Sequence, residues 1–335
     1  MKILIASSIS PHAIEKLRQK HDVICAFNAD EATLKKRIRD RDAVILRSGV
    51  SLSAAVMRCA PHLKLLVRAG SGTDNIDLNY IREHGVKLER IPEPGAKAVA
   101  EMAFTLMLAL ARNLFEADRT LRQGQWRKSA LAGSLLTGKT LGIVGAGNIG
   151  ARVGWMGAAW GMRALGCVEN PTRAIARQLA GKNIRLAAFD EVIAESDFLC
   201  IHVPLTAGTK NLIDATVLAR MKPCAILVNL ARGGVVDEQA LYNALAVEGR
   251  LAGAALDVHQ REGEGHISPL ADLPNVILTP HIGAQTIDSQ REIGDRVLKI
   301  VAAYAYIWHT TQQSDYRFEL QKNDFDFEQQ CAVPA

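Results

Sequence analysis

Three glycines near the middle of the chain have the spacing G-x-G-x-x-G. They follow the apolar run Thr140–Val144 and precede a stretch compatible with a helix, Ala151–Trp160. At such a junction the first glycine allows a tight turn, the second lets the backbone approach a pyrophosphate, and the third lets the helix pack closely on the strand. Free N–H groups at the helix start would bind the phosphate oxygens. We therefore predict a dinucleotide-binding turn formed by Gly145, Ala146, Gly147, Asn148, Ile149 and Gly150.

An acidic residue, Glu169, lies at the end of the next apolar run. It follows the glycines by about 20 residues, where dinucleotide-binding domains carry the carboxylate that binds the adenosine ribose. A carboxylate at this position also repels a 2′-phosphate, which favours NAD over NADP. Arg173 is close in sequence and is the residue that would reach such a phosphate. The acidic residue leads us to predict NAD as the cofactor.

Polar residues lie at the ends of three later apolar runs, in the segments Val228–Gly234, Ala255–Glu262 and Thr279–Ala284. Open sheets of parallel strands bind their ligands at the carboxyl ends of the strands. We therefore expect these three segments to line a ligand-binding edge of a sheet.

The elements that must position these residues alternate along the chain. Short apolar runs typical of strands are separated by longer segments with helical periodicity, such as Pro11–Lys20. This alternation predicts parallel sheets with helices on both faces. Two series of runs occur: first Lys2–Ala6, Val23–Cys25, Ala43–Leu46, Lys64–Ala69 and Val86–Leu88, then Thr140–Val144, Met162–Cys167, Phe198–Val203, Ala225–Asn229, Ala252–Leu256 and Val276–Thr279.

We predict an α/β protein with two doubly wound parallel-sheet domains, a flavodoxin-like substrate domain and a Rossmann cofactor domain. A long helix over Ala98–Gln123 would link the two series, and another over Ala284–Trp308 would return to the first. The substrate-binding domain would be discontinuous, residues 1–97 plus 285–315, and the NAD-binding domain would comprise residues 98–284. The polar residues 316–335 are expected to form a loosely attached C-terminal tail.

The composition is that of a compact globular protein, with 48% hydrophobic and 22% charged residues. A net charge of +5 over 335 residues fits anionic metabolites, and no basic run is dense enough to predict nucleic-acid binding. Six scattered cysteines without a CxxC pair predict reduced thiols and no metal site. The most apolar stretch, Ala98–Ala111, is too short to span a bilayer. We expect a cytoplasmic protein that binds neither membranes nor nucleic acid.

Several segments in a fixed order give the sequence a specific resemblance. They run from Val67–Asp77, through the glycine turn, to His281–Ala284, and cover most of the chain. The sequence resembles the D-isomer-specific 2-hydroxyacid dehydrogenases, and most closely their phosphoglycerate dehydrogenase branch. The resemblance implies an NAD-dependent enzyme that interconverts a small 2-hydroxy acid and its 2-keto acid.

The resemblance also implies catalytic roles for three residues. Arg232 would bind the substrate carboxylate and the keto oxygen, because its planar fork suits two acceptors. His281 would exchange a proton with that oxygen, and Glu262 would hold His281 in one tautomer. Reduction of a keto acid requires a proton donor, a carboxylate anchor and a group that polarises the carbonyl, and these residues meet that requirement.

The lining of the two binding sites follows from the same resemblance. Asn229 and Asp257 would face the nicotinamide end of the cofactor, and the backbone at Ser71 and Gly72 would bind the substrate carboxylate. For His202, at the end of a predicted strand near the cofactor, cofactor contact and simple packing are equally open. The predicted cofactor site is completed by Val203, Pro204, Thr206 and Gly283.

Two residues near Glu262 depart from the family's pattern. This chain has His259 where the family usually has an aromatic residue, and Gly263 where it has a proline. If Gly263 lets the loop shift, Glu264 is the alternative partner for His281. We expect His259 itself to be a surface loop residue.

Three arginines, Arg47, Arg68 and Arg127, resemble in position those that hold a distal phosphate in phosphoglycerate dehydrogenases. Arg127 would come from the partner subunit, and the apolar 98–123 helix, followed by Trp126, also predicts a homodimer. Arg47 and Arg68 would otherwise simply extend from strand ends into solvent. We expect first a three-carbon acid with an anionic, phosphate- or phosphonate-like tail.

Two other functions stay open at this point. The chemistry would be the same if the substrate were glyoxylate or hydroxypyruvate, without a phosphate. The resemblance also extends to NAD-sensing corepressors that bind peptides, although the sequence shows no sign of a peptide groove. Turnover of a 2-keto acid with NADH distinguishes the enzyme from the sensor.

Overall fold

The computed structural model describes residues 1–306. They divide into two compact units, one formed by Met1–Pro92 with the residues from Gln290 onward, the other by Glu93–Ser289. The predicted boundaries, after residues 97 and 284, each lie a few residues from these limits. The predicted tail, 316–335, lies outside the described residues, as does the end of the predicted substrate-binding domain.

The first unit contains a five-stranded parallel sheet in the order β2-β1-β3-β4-β5. Its central strands are short apolar runs that are almost entirely buried, as expected for a parallel sheet covered by helices on both faces. The strand order is that of flavodoxin-like folds. The elements are β1 (Lys2–Ile5), α1 (Pro11–Arg18), β2 (Asp22–Cys25), α2 (Glu31–Arg37), β3 (Ala43–Leu46), α3 (Ala54–Met57), β4 (Leu65–Arg68), α4 (Leu78–Glu83) and β5 (Lys87–Arg90).

The second unit contains a seven-stranded parallel sheet in the order β12-β11-β10-β9-β6-β7-β8. Six of its strands, from β8 to β11, follow the order of the Rossmann fold, and β12 extends the sheet at one edge. The predicted fold class is therefore confirmed for both sheets, although the short β8 was not predicted. The strands are β6 (Thr140–Val144), β7 (Arg163–Cys167), β8 (Ile184–Leu186), β9 (Phe198–Ile201), β10 (Ile226–Asn229), β11 (Gly253–Leu256) and β12 (Val276–Leu278).

Seven α-helices lie between or before these strands in the described chain. They are α5 (Glu93–Ala111), α6 (Leu114–Arg122), α7 (Asn148–Ala159), α8 (Arg173–Ala180), α9 (Phe189–Glu195), α10 (Ala215–Arg220) and α11 (Glu238–Tyr242). A 3₁₀ turn covers Lys128–Ala130, and a π-helical turn, Asn243–Val247, continues α11.

The prediction of one helix over Ala98–Gln123 is wrong, because α5 ends at Ala111 and α6 begins at Leu114. Asn113, between them, has a left-handed backbone with φ 49°. Asparagine tolerates this conformation better than most residues, and a single left-handed residue interrupts a helix. The side-chain amide of Asn113 also donates a hydrogen bond to the carbonyl oxygen of Ala132, 3.2 Å away.

Helix α5 is long and apolar enough to span a membrane by length and hydropathy alone, but 61% of its most apolar window is buried inside the structure. Phe104, Leu106 and Met107 belong to the hydrophobic core of the second unit. In this structure α5 is therefore a core helix of the cofactor unit.

The last helix, α12 (residues 287–306), lies mostly in the first unit. Ile293, Val297 and Val301 recur every four residues and are buried in the same cluster as the residues of β1, β3 and β4. Gly294 permits close packing on α1, since an added Cβ would lie 3.0 Å from the Cβ of Ala13. The helix predicted over Ala284–Trp308 thus begins at residue 287.

Candidate active site

The glycine turn joins β6 to α7. Gly145 follows β6 directly and has φ +93°, a conformation that glycine adopts without strain. The N–H groups of Gly145 and Ala146 donate hydrogen bonds to the carbonyl oxygen of Cys167, at 3.1 and 2.9 Å, which ties the turn to the end of β7. Helix α7 then begins at Asn148, with Gly147 as its N-cap and no side-chain capping bond.

The space around the turn fits a dinucleotide. A Cβ added to Gly150 would collide with the carbonyl oxygen of Gly145, so a glycine is required for α7 to pack there. A Cβ added to Gly147 would meet nothing within 4 Å, so the space beside this residue is open. An open backbone at the start of a 12-residue helix, with no side chain capping its N–H groups, is suited to a pyrophosphate.

The end of β9 packs against the same turn. The backbone N–H of His202 donates to the carbonyl oxygen of Val144 at 2.8 Å, and a Cβ on Gly145 would lie 2.8 Å from Val203 Cγ1. Both ring nitrogens of His202 are buried and have no hydrogen-bond partner among residues 1–306. Burial lowers the pKa of His202 to about 4. The ring is therefore neutral at pH 7.

Other residues near the predicted cofactor site are exposed in the segments after β9 and β7. Pro204 and Thr206 are exposed in the loop after His202, where the hydroxyl of Thr209 donates to the carbonyl oxygen of Pro204 at 2.5 Å. Glu169 and Arg173 are both exposed, Glu169 shortly after β7 and Arg173 as the first residue of α8.

Arg232 follows β10 in a turn organised by Asn229. The Asn229 side chain is buried, accepts a hydrogen bond from the N–H of Ala231 at 3.1 Å and donates one to the carbonyl oxygen of Arg232 at 3.2 Å. The guanidinium of Arg232 donates to the carbonyl oxygen of Ala231 at 2.7 Å. Asn229, predicted to face the nicotinamide, thus shapes the turn that carries the predicted substrate-binding arginine.

Asp257, at the end of β11, organises the turn that follows β12. Its buried carboxylate accepts hydrogen bonds from the hydroxyl of Thr279 at 2.7 Å and from the N–H groups of Ile282 at 2.8 Å and Gly283 at 2.7 Å. Its carbonyl oxygen accepts the N–H of His281 at 2.7 Å. These bonds hold His281 with φ +56°, an uncommon conformation for a residue with a side chain.

His281 and Glu262 form a hydrogen-bonded pair. Glu262 Oε2 lies 2.9 Å from His281 Nδ1, and the side chains are 41% and 30% exposed, respectively. Of the two carboxylates considered from the sequence, the contact is made by Glu262, whereas Glu264 is exposed. Nε2 of His281 is the ring nitrogen that does not face the carboxylate.

The surroundings of Glu262 favour its ionised form. Burial alone raises the pKa of Glu262, but the hydrogen bond with His281, the N–H of His259 and the charges of both histidines lower it. The net pKa lies below the ordinary value. A carboxylate that is ionised at neutral pH stabilises a protonated imidazole beside it.

The expectation that His259 is a surface loop residue is wrong. Its ring is partly buried and Nε2 lies 2.9 Å from the carbonyl oxygen of Thr279. Sequence reasoning also missed Glu238, a buried carboxylate that accepts the N–H of Gln260 at 2.6 Å and the hydroxyl of Ser268 at 3.4 Å. The contacts of His259 with Thr279 and of Glu238 with Gln260 join residues about 20 or more apart in the chain, so helical or strand periodicity does not reveal them.

The predicted substrate residues of the first unit lie at the ends of two adjacent strands. Arg47 follows β3, and burial lowers its pKa. Arg68 ends β4, is 3% exposed, and its guanidinium lies over Gly70, where a Cβ would be 2.5 Å from Nη1. Ser71 is exposed and Gly72 partly buried in the loop that follows.

Arg127, the third predicted phosphate ligand, lies in the second unit after α6. Its guanidinium donates to Glu116 Oε1 at 2.9 Å, and Glu116 also binds Arg119 at 2.6 Å. Arg127 is thus held in an ion-pair cluster on its own chain.

Comparison with known proteins identifies relatives across most of the chain. The family model for "D-isomer specific 2-hydroxyacid dehydrogenase, NAD binding domain" matches residues 104–283. A hydroxypyruvate reductase of Thermotoga maritima is 36% identical over 296 residues, which cover 88% of this chain and 94% of that protein. A D-3-phosphoglycerate dehydrogenase of Methanocaldococcus jannaschii is 38% identical over 88% of this chain, but over only 55% of its own length. The chain thus spans about half the length of that relative.

A solved structure gives the same result for the fold. The D-lactate dehydrogenase of Aquifex aeolicus, complexed with NAD and lactic acid, has a TM-score of 0.81 with this chain and 28% sequence identity. The alignment covers 91% of this chain and 96% of that one. These relatives are enzymes, which disfavours the alternative of an NAD-sensing binding protein.

Proposed function

Because the chain belongs to the D-isomer-specific 2-hydroxyacid dehydrogenase family and is an NAD-dependent enzyme of that kind, we propose that its substrate carries an anionic tail. The reaction would interconvert 3-phosphoglycerate and 3-phosphohydroxypyruvate, or acids of the same shape and charge. The observation that carries the proposed chemistry is the 2.9 Å contact between Glu262 and His281. In the turn that follows β12, this pair would provide a proton donor for the keto oxygen.

Each catalytic residue has a distinct part in the proposed reduction. His281 would transfer a proton from Nε2 to the keto oxygen, since Nδ1 faces Glu262. The negative charge of Glu262 would stabilise the imidazolium before the transfer and fix the ring orientation. Arg232 would bind the substrate carboxylate through its guanidinium fork and polarise the carbonyl. Bound NADH supplies the hydride that the keto carbon receives.

Residues of the second unit would hold NAD. The open backbone at Gly147 and the start of α7 would bind the pyrophosphate, and Glu169 would bind the adenosine ribose. The buried ring nitrogens of His202 favour cofactor contact over simple packing, because buried polar atoms without partners are unfavourable. Asp257 would act on the nicotinamide end mainly through the turn that it organises.

The anionic tail is supported by Arg47 and Arg68. Both lie at strand ends of the first unit, and Arg68 is an almost fully buried cation. A guanidinium at a strand end offers a fork of donors that suits an anionic group. Relatives named as D-3-phosphoglycerate dehydrogenases are consistent with such a ligand.

Arg127 favours a second candidate, an unphosphorylated substrate such as hydroxypyruvate or glyoxylate. Its ion pair with Glu116 neutralises one of the three predicted phosphate ligands. A relative that is 36% identical is named as a hydroxypyruvate reductase, which is consistent with such a substrate.

The two candidates are separated by kinetics with NADH on 3-phosphohydroxypyruvate, hydroxypyruvate and glyoxylate. We expect the highest kcat/KM for the phosphorylated acid, and Arg47→Ala and Arg68→Gln should lower it for that acid alone. Arg37→Ala, at the exposed end of α2, is the matched control for loss of one positive charge. Equal or higher efficiency on hydroxypyruvate, with no loss in the arginine variants, would establish the second candidate instead.

We further propose that the protein is a homodimer that uses the surface around α6. Helix α6 and the loop after it carry exposed apolar side chains, with Phe115 60%, Trp126 81% and Leu135 69% exposed. Large exposed apolar groups of this kind mark association surfaces. Sedimentation should give a dimer that Phe115→Glu weakens, whereas Ile267→Glu, at a residue 87% exposed elsewhere, should not. A wild-type monomer at micromolar concentration would refute this proposal.

A further inference from the structure

The ring of His259 connects the two loops that carry the acid–base pair. Its Nε2 lies 2.9 Å from the carbonyl oxygen of Thr279. A carbonyl oxygen only accepts hydrogen bonds, so Nε2 must carry the proton. The other ring nitrogen, Nδ1, is buried without a hydrogen-bond partner among residues 1–306.

This arrangement argues against a space-filling role for the ring. A buried ring nitrogen without a partner is unfavourable, and an apolar ring of similar shape would avoid it. An apolar ring could not donate the hydrogen bond that Nε2 of His259 makes to Thr279. The histidine is therefore accounted for by that one bond.

A hydrogen bond to Thr279 acts directly on the backbone turn that carries His281. Its carbonyl oxygen also accepts the N–H of His281 at 3.0 Å, within the turn that places His281 at φ +56°. A left-handed residue with a side chain is retained only where its surroundings fix it. The bond from His259 adds a side-chain constraint to a turn otherwise fixed by Asp257.

The backbone of His259 constrains Glu262 in the same way. Its N–H donates to Glu262 Oε1 at 3.3 Å, while Oε2 faces His281. The next residue, Gln260, is fixed by the buried carboxylate of Glu238 at 2.6 Å. On the other side, a Cβ on Gly233 would collide with the carbonyl oxygen of His259. His259 thus contacts Glu262 directly and contacts Thr279 in the turn that carries His281.

We propose that His259 is a positioning residue for the acid–base pair. Its ring fixes the turn before His281 and its N–H fixes the carboxylate of Glu262, so that the two side chains stay at hydrogen-bonding distance. This inference rests on the proton-transfer role proposed for His281 and Glu262. The role belongs to the histidine itself, because a phenylalanine at this position fills the space but cannot bind Thr279.

The test compares three substitutions. His259→Phe removes the ring donor and keeps the ring. His259→Gln keeps an N–H at nearly the distance of Nε2, and His259→Asn is a matched amide that is too short to reach Thr279. Thermal unfolding of all three separates a change in stability from a change at the pair, and the Gln–Asn comparison stands if His259→Phe does not fold.

We expect His259→Phe and His259→Asn to move the upper limb of the kcat–pH profile for keto-acid reduction to lower pH by about 0.5 unit. Such a shift is roughly a threefold change in kcat at a fixed pH on that limb. His259→Gln should restore most of it, and NADH affinity should not change. The ¹⁵N chemical shifts of the His281 ring, recorded by NMR at one fixed pH in the cofactor-free protein, should change in His259→Phe and His259→Asn and stay close to wild type in His259→Gln.

Unchanged ¹⁵N shifts of the His281 ring in His259→Phe and His259→Asn would overturn the inference, as would a His259→Gln variant that resembles them. The NMR measurement does not depend on turnover. Changed ¹⁵N shifts of the His281 ring in variants of a protein that reduces no 2-keto acid would uphold the positioning role and refute the proposed function instead.

Discussion

Adding one methyl group at Gly150 is expected to destabilise the cofactor unit. In the structure the new Cβ would collide with the carbonyl oxygen of Gly145 and lie 2.7 Å from Ile143 Cγ2. The carbonyl belongs to the backbone of a turn whose N–H groups are bonded to Cys167 at the end of β7. Relief of the collision therefore requires α7 to move away from β6.

The size of the effect follows from known costs of overpacking. Forcing an extra methyl group into a packed interior costs about 1–3 kcal/mol. For a unit of this size, 1 kcal/mol lowers Tm by about 2–4 °C, so Gly150→Ala should lower Tm by about 2–12 °C. The substitution does not require a left-handed backbone, since Gly150 lies within α7.

Gly147→Ala is the matched control, because a Cβ there would meet nothing within 4 Å. It should leave the unfolding free energy within about 0.5 kcal/mol of wild type. It should weaken NADH binding, because the methyl group would occupy the open space assigned to the pyrophosphate. The loss of one hydrogen bond to a charged group, about 1.5–3 kcal/mol, corresponds to a tenfold or greater rise in Kd.

Thermal unfolding and fluorescence titration with NADH measure the two effects on the same samples. We expect stability to fall mainly in Gly150→Ala and affinity to fall mainly in Gly147→Ala, when affinity is measured well below Tm. A Gly150→Ala protein as stable as wild type would refute the packing argument. A Gly147→Ala protein with unchanged NADH affinity would refute the placement of the pyrophosphate.

Three further predictions concern charge. Glu262→Gln should move the upper pH limit of keto-acid reduction to lower pH, because the carboxylate that stabilises the protonated histidine is lost, whereas Glu264→Gln should not; pH–rate profiles of both variants decide this. The pKa of His202 is lowered from 6.5 to about 4 in the folded protein. Between these two pH values the unfolded chain therefore binds a proton that the folded chain does not. The contribution of His202 to the unfolding free energy should therefore be fully present above pH 6.5, and about 3 kcal/mol should be lost as the pH falls towards 4. Urea unfolding should show a smaller loss in His202→Phe. Glu169→Ala should narrow the preference for NADH over NADPH, and an unchanged ratio of kcat/KM values would exclude Glu169 as the ribose ligand.

Much of the fold was predictable because its strands are short apolar runs separated by longer segments with helical periodicity. The β3 residues Ala43–Leu46 and the β9 residues Phe198–Ile201 are buried throughout, and such runs are visible in the sequence. Strand β8 was missed because it has only three residues and alternates in burial. The break at Asn113 depends on a single left-handed residue, which hydrophobic periodicity does not reveal.

The strand ends that carry the site could be predicted from the sequence, but the hydrogen bonds that connect their loops could not. The contact of His281 with Glu262 joins two segments that the sequence marks as polar strand ends. The roles of His259 and Glu238 depend on the paths of loops, which are fixed by tertiary hydrogen bonds rather than by local sequence. The ion pair between Arg127 and Glu116 could likewise not be predicted, because it depends on the position of α6 relative to the loop that follows it.

The central claim is that His281 transfers the proton in an NADH-dependent reduction of a 2-keto acid. The most direct measurement is the rate of NADH oxidation by wild type and His281→Ala with 3-phosphohydroxypyruvate, hydroxypyruvate and glyoxylate, with NADH affinity measured separately. We predict turnover by the wild type and a kcat lower by roughly 10²–10⁴-fold in His281→Ala, with NADH affinity unchanged. A His281→Ala protein that retains wild-type kcat on the same acid would contradict the assignment.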